Sequence, residues 1–388
     1  MRPLWRRSGG WVLAVLLVFS KEAAAAEWSM EPSVSLNGAY DDNPLLLPVR
    51  HPATGSTLSP SLNLGVRTEP FELQGNLLVN LTRYFTQKDL DTTDQYYTVS
   101  SRYQMERNSL ELQSSYTRDL TLTSELIETG QVLNRSRRDL FTLNPKWIGS
   151  LTENFTLHAE YDFSDALYAS PSLVDYQTHL GTVQAVYQSS ERDQATVSSY
   201  YSTYQALTAD FRSLEYGAKA GLTHRFSETF HGDATAGIRS TTSIYQTTLS
   251  ERRDRGRGWV GQIDLEKEFE TVHVQSGFSR ETHPSGIGYL VEVNHLNFLF
   301  RKTMTTKLTA SLAVDSYLSR PLRTDRLVPN SRYDKIEQRW DWQWAERWSS
   351  GVSYRYAEQA VYNAPGRAIS NAVFLITTYN GPRMAISR

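Results

Sequence analysis

The chain of 388 residues contains no cysteine. That removes disulfide frameworks, thiolate zinc sites, iron–sulfur clusters and thiol nucleophiles together, and it suits an oxidising compartment where a stray thiol is a liability. An excess of one charge is also lacking. The 40 Lys and Arg stand against 42 Asp and Glu, so no basic face is laid out for a nucleic acid. Past residue 26 no stretch approaches the roughly 18 apolar residues of a helical membrane span. Catalytic signatures are missing too: there is no G-x-S-x-G elbow, H-E-x-x-H pair or phosphate loop. The eight histidines are scattered, and His231-x-Asp233, the nearest to a dyad, has no nucleophile beside it. With no nucleophile, base and orienter to assemble, the chain is expected not to be an enzyme and to need no cofactor. Asp41-Asp42-Asn43-Pro44 offers oxygen ligands without the EF-hand spacing and reads as a solvated turn, so no metal site is expected.

What is present begins with an address. Arg2, Arg6 and Arg7 precede an apolar run over residues 10–20, and Ala23, Ala24, Ala25 and Ala26 supply an A-x-A cleavage site before Glu27. The run is too short to span a bilayer, and the order is that of a cleavable secretory signal over 1–26. The remaining 27–388 is expected to form one domain. Removing Arg2, Arg6, Arg7, Lys21 and Glu22 leaves 36 basic against 41 acidic residues.

The period of that remainder is two. Phe155, Leu157, Ala159, Tyr161 and Phe163 share one parity, and Thr156, His158, Glu160 and Asp162 the other. Successive strand residues point to opposite faces, so this is a strand with one apolar and one wet face. The pattern recurs in about eighteen segments, near 28–40, 58–68, 71–84, 95–105, 109–120, 137–149, 154–164, 175–189, 194–205, 213–226, 230–243, 257–268, 272–282, 288–301, 306–318, 331–344, 348–359 and 369–379. Tight connections such as Glu106-Arg107-Asn108 alternate strictly with long ones such as 41–57 and 121–136. This is the rhythm of an all-β transmembrane antiparallel up-and-down β-barrel, with short periplasmic turns and longer extracellular loops. An even strand count puts both termini in the periplasm of a Gram-negative bacterium. In segment 288–301, Val291 and Val293 fall on the opposite parity to Leu296, Phe298 and Phe300, which a β-bulge would repair.

The mean hydropathy of -0.47 then averages an apolar outside with a wet inside. Trp28, Trp147, Trp259, Trp340, Trp342, Trp344 and Trp348 lie on the apolar parity and are expected to form aromatic girdles at the lipid boundary. The inward parity carries charges of both signs. Glu160, Asp162, Glu215, Lys219, Arg225, Arg239, Asp264, Glu266, Arg339 and Arg355 are the candidates for lining a hydrated pore. Residues 121–136, with Glu125 and Glu128 ahead of Arg135, Arg137 and Arg138, form the long loop best suited to narrow the bore.

Gly38-Ala39-Tyr40-Asp41-Asp42-Asn43, after the first strand, resembles the early loop of the β-barrel porin type 2 family of outer-membrane barrels. The resemblance implies a tyrosine-rich barrel of about this size, associated with exopolysaccharide or surface-sorting systems. It implies as partners outer-membrane lipids and lipopolysaccharide, the barrel-assembly machinery and polysaccharide-export components. The expected function is a porin-like channel for hydrophilic solutes or an exported polysaccharide; a non-conducting docking barrel is the alternative. One departure is the end of the chain, Ala385-Ile386-Ser387-Arg388, where many barrels close on an aromatic residue. The assembly signal is then expected within 373–379, followed by a short tail.

Overall fold

The computed structural model describes residues 26–387, apart from 133, 247–250, 323–329 and 363–365. The expected signal segment therefore lies, except for Ala26, outside the described residues. Alternating side chains commit the backbone to extended structure, and every strand then needs a partner on both edges. The strands are β1 (Glu27–Asp41), β2 (Ala53–Arg67), β3 (Phe71–Tyr84), β4 (Thr92–Gln104), β5 (Asn108–Leu120), β6 (Arg137–Ser150), β7 (Phe155–Tyr168), β8 (Tyr176–Gln188) and β9 (Asp193–Ala206). They continue as β10 (Phe211–Ser227), β11 (Phe230–Gln246), β12 (Glu251–Glu268), β13 (Val272–Pro284), β14 (Leu290–Thr305), β15 (Leu308–Pro321), β16 (Ser331–Ala345), β17 (Trp348–Val361), β18 (Arg367–Asn380) and β19 (Met384–Ser387). β1 to β18 each pair antiparallel with their chain neighbours, and β1 pairs with both β2 and β18, so the sheet closes into an up-and-down barrel of eighteen staves.

The nineteenth strand is the lower end of the last stave. β18 pairs with β1 up to Ser33↔Asn380, and β19 resumes at Met30↔Met384. Between them β1 supplies Glu31 and Pro32 against Gly381, Pro382 and Arg383, one residue more. Two prolines lack the N–H a ladder needs, and Gly381 N–H bridges the break to the Pro32 carbonyl at 2.8 Å. The tail expected after Tyr379 is thus paired wall.

The expected bulge in segment 288–301 is absent: β14 pairs with β13 in unbroken register from Leu290 to Lys302. Val291 and Val293 sit off the apolar parity because they face the bore, where incoming loops bury them. The register shifts that do occur lie at short turns, at Arg225/Ser227, Thr303/Thr305 and Gln343/Ala345. Short turns gather at one rim of the barrel and long loops at the other. The exposed hydrophobics of each stave, such as Leu36, Val183, Tyr201, Ile238 and Leu375, share the outward parity. Among the described residues no helix is long and apolar enough to cross a membrane.

Candidate functional site

The ten charged candidates all lie on the parity opposite to their own strand's exposed hydrophobics, but they do not form one group. Glu160 stands in register beside Lys146, which stands beside Glu111, as a row across three staves. Asp162 accepts a hydrogen bond from Asn144. Lys219 meets Glu281 at 3.2 Å, Arg339 meets Asp341 at 2.7 Å, and Arg355 meets Asp41 at 2.9 Å. Asp264 accepts from Gln262 at 2.6 Å, and Arg225 is exposed near the short-turn rim. Glu266 pairs with His231 at 3.1 Å and lies near His273. Asp233 is instead bonded by Thr223, so the His231/Asp233 pairing seen in the sequence does not form. Glu266, Glu268 and His273 bring donor atoms within 4.8 Å of one another, a half-exposed set that their mutual ion pairs already explain.

Glu215 and Arg239 differ from the rest. β12 pairs with β13 only from Glu268↔His273 to Gly261↔Arg280, and beyond that point the two strands part. Arg239, on the inner face of β11, then reaches Glu292 at 2.5 Å, although Glu292 shares the outward parity of Leu296 on β14. The inner face of β11 therefore overlies the outer face of β13 and β14. Arg239 also meets Glu215 at 3.4 Å, and Arg280 meets Glu292 at 2.6 Å. Arg239, Glu215 and Glu292 are 5%, 7% and 7% exposed. They are a buried charge network between two layers of wall. Buried charges are tolerated only when paired and hydrogen-bonded, and here Thr241 adds a donor to Glu215 at 3.0 Å.

Six of the seven girdle candidates are close to the short-turn rim. Trp28 starts β1, Trp147 precedes the turn after β6, and Trp340, Trp342, Trp344 and Trp348 flank the turn between β16 and β17. The side chains of the last four and of Trp28 are exposed, and that of Trp147 is half-buried. Trp259 is exposed but sits halfway up β12, at the parting of the wall.

The long-loop rim is filled. The β5–β6 connection carries a short helix, α1 (Glu125–Thr129), which lodges against β14–β16, about half the circumference away. Its base is fixed by Arg138, 1% exposed, which donates to both carboxylate oxygens of Glu128 at 2.8 and 2.7 Å and to Ser124 at 2.6 Å. Such a planar two-point contact holds both angle and distance. Its far end is seated on the opposite wall. Ser319 donates to the Thr129 carbonyl, and Ser331 to the Gly130 carbonyl at 3.3 Å. Gly130 ends the helix at φ +65, and an added Cβ there would lie 2.4 Å from Tyr317 Cβ. The Glu125 carboxylate accepts from Gly286 N–H at 2.8 Å and Ser285 at 3.3 Å, on the β13–β14 loop. Burial pushes its carboxyl above the ordinary value, against the lowering pull of the Gly286 N–H.

Around α1 the inward parity turns apolar. Leu126 joins Tyr176, Tyr204, Phe211, Val291, Val293, Tyr317 and Tyr333 in one buried cluster drawn from β8–β10 and β14–β16. Tyr168, Tyr176, Tyr204, Phe211 and Tyr245 form a row of tilted ring contacts along five staves. Below this stopper the bore is polar. A cavity of about 500 Å³ opens toward the short-turn rim beside Glu27, Glu31, Asn63, Arg67, Glu72 and Arg383. The docking partners Ser285, Gly286, Ser319 and Ser331 were not singled out from sequence. The available signal was the row of inward tyrosines and valines at the long-loop ends, where a hydrated wall should be polar.

No protein-family model matches the chain, and no curated protein does. Among solved structures it is similar to Pseudomonas aeruginosa OccK3 (OpdO), with 11% identity, TM-score 0.46, and 92% and 96% of the two chains covered. P. aeruginosa OpdK with vanillate gives 9% identity and TM-score 0.49 over 92% and 99%. Acinetobacter baumannii OccAB3 gives 10% and 0.44 over 92% and 99%. At these values the architecture is read from the strand pairing of this chain itself.

Proposed function

We propose that the chain is an outer-membrane channel for hydrophilic solutes, closed at rest by the β5–β6 loop. The observation that carries this reading is a polar, charge-lined bore stoppered at one rim by a loop held by hydrogen bonds and by a buried apolar cluster. A closed barrel leaves no strand edge to lipid and needs only an apolar outside, and eighteen staves enclose a bore wide enough for water. In this reading the short-turn rim and both termini face the periplasm, and the long loops face outward. Eight of the ten candidate charges, Glu160, Asp162, Lys219, Arg225, Asp264, Glu266, Arg339 and Arg355, line the pore and set selectivity, while Glu215 and Arg239, buried between two layers, hold its wall. The tryptophans near the short turns anchor the periplasmic boundary. Lipopolysaccharide surrounds the barrel, and the assembly machinery inserts it after removal of residues 1–26.

The resemblance around Gly38–Asn43 extends the proposal to export of a surface polysaccharide. The packed stopper favours a second reading, a non-conducting docking barrel of a surface-assembly system. Liposome swelling separates the two. Vesicles carrying the chain without the β5–β6 loop should swell in small sugars faster than those carrying the intact chain, and in that open background charged solutes should discriminate between Glu160 and Glu160→Arg. No swelling with a folded, heat-modifiable barrel, both intact and after loss of the loop, supports the docking barrel.

A further inference from the structure

β12 changes character halfway along. From Lys267 to Gly261 it is paired on both edges, and from Val260 to Glu251 its strand pairing among the described residues is with β11 alone. A free strand edge is not tolerated in hydrocarbon, where nothing can satisfy its N–H and C=O groups. Depth resolves this. A strand tilted about 40° and rising about 3.3 Å per residue crosses an apolar band of about 25 Å in roughly ten residues. Counted from exposed Phe269 at the short turn, that band ends at Trp259, a residue 49% exposed. The free edge starts where the hydrocarbon stops.

Above Trp259 the same outward face carries Arg257, Arg255 and Arg253, all exposed. Arg253 is held by Glu251 at 2.5 Å. Arg255 and Arg257 have no carboxylate partner among the described residues. Arg280 lies 4.5 Å over the Trp259 ring, with Phe278 beside it. Unpaired guanidinium groups and a free backbone edge at one level both call for an anion with several acceptor oxygens, and the aromatic residues beneath call for an acyl chain. Guanidinium meets phosphate by parallel two-point hydrogen bonds.

We propose that the outward face of β12 above Trp259 binds the phosphorylated headgroup of a lipid in the leaflet around the long-loop rim, its chains lying along Trp259, Phe278 and Ile263. The inference needs a barrel in a bilayer and is indifferent to whether it conducts.

The test is lipid capture. The purified full chain is incubated with phosphatidylcholine vesicles doped with diphosphorylated lipid A or with its dephosphorylated form, re-extracted, and its retained lipid counted by native mass spectrometry. Wild type should retain the phosphorylated form selectively. Arg255→Gln with Arg257→Gln should weaken retention roughly thirtyfold, the loss of two cations near a membrane surface, and the Lys pair should keep most of it. Should the double variant lose folded migration on gels, each single variant carries the comparison with about a fivefold loss. Equal retention by wild type and variants overturns the proposal. So does displacement of the lipid by inorganic phosphate, which would make this a free-phosphate site, or equal capture of the dephosphorylated lipid.

Discussion

Gly130→Ala should unlatch the stopper. Gly130 holds φ +65 at the C-terminus of α1, and its missing Cβ is the room in which Tyr317 Cβ sits, 2.4 Å from where a methyl would go. The first penalty is local: an L-residue in the left-handed region costs about 1–2 kcal/mol. The second is packing. Tyr317 Cβ is fixed to a paired strand and cannot swing away, so relief requires the loop to shift, and overpacking of this kind costs about 1–3 kcal/mol. Together they take about 2–5 kcal/mol from the seated loop, which moves the closed-to-open ratio at least about thirtyfold at 1.4 kcal/mol per decade. Gly181→Ala is the control, because nothing lies within 4 Å of its added Cβ. The assay is single-channel dwell time in a planar bilayer. A Gly130→Ala barrel that folds and shows the wild-type closed fraction would refute the claim that this contact seats the loop.

Three further outcomes follow from the wall and the loop. Leu157→Arg should block assembly, since a cation facing mid-bilayer costs about 2–4 kcal/mol, while Glu160→Arg should assemble and shift the reversal potential in a salt gradient; equal outcomes would undo the parity assignment. Glu292→Ala strips the partner from Arg239 and Arg280 between the two wall layers, at a cost of about 3–5 kcal/mol, read as an earlier urea midpoint of the heat-modifiable form; Glu251→Ala, at an exposed pair, should leave the midpoint in place. The pH dependence has a definite sign. Docking raises the Glu125 carboxyl above its ordinary value of 4.5, so the docked loop favours the protonated group. Its added stability is full at or below that value and is lost as pH rises through the raised one. Acidification toward 4.5 should lengthen closed dwells, and Glu125→Gln should flatten that response; dwell times that keep their slope in the variant would assign it to another group.

The strand plan was legible because lipid and water write opposite rules onto alternate residues. β3 runs from Phe71 to Tyr84, as its alternation indicates, because both ends fall at a change of solvent. Legibility fades above the apolar band. β2 starts at Ala53 and β12 at Glu251, well before their alternation begins, because backbone pairing continues there while the outward face no longer has to be apolar. The loop that fills the bore was visible as 121–136, but its seat was not. Ser319, Ser331 and Gly286 are ordinary residues that matter only because a closed barrel brings β14–β16 opposite β5 and β6. Val291 and Val293 were the clue: an apolar pair on the wet parity meant something dry lay inside. Glu215 and Arg239 read as lumen charges by parity, and their burial depends on the parting of β12 from β13, which no local pattern announces.

The central claim is that a conducting bore is shut by one loop. The most direct measurement is ohmic conductance in planar bilayers of the intact chain and of a chain with residues 122–135 replaced by a short Gly-Ser linker. The account predicts rare or small steps from the intact barrel and large, stable ohmic steps from the shortened one, with both folded and heat-modifiable. A shortened barrel that folds and stays silent would contradict it.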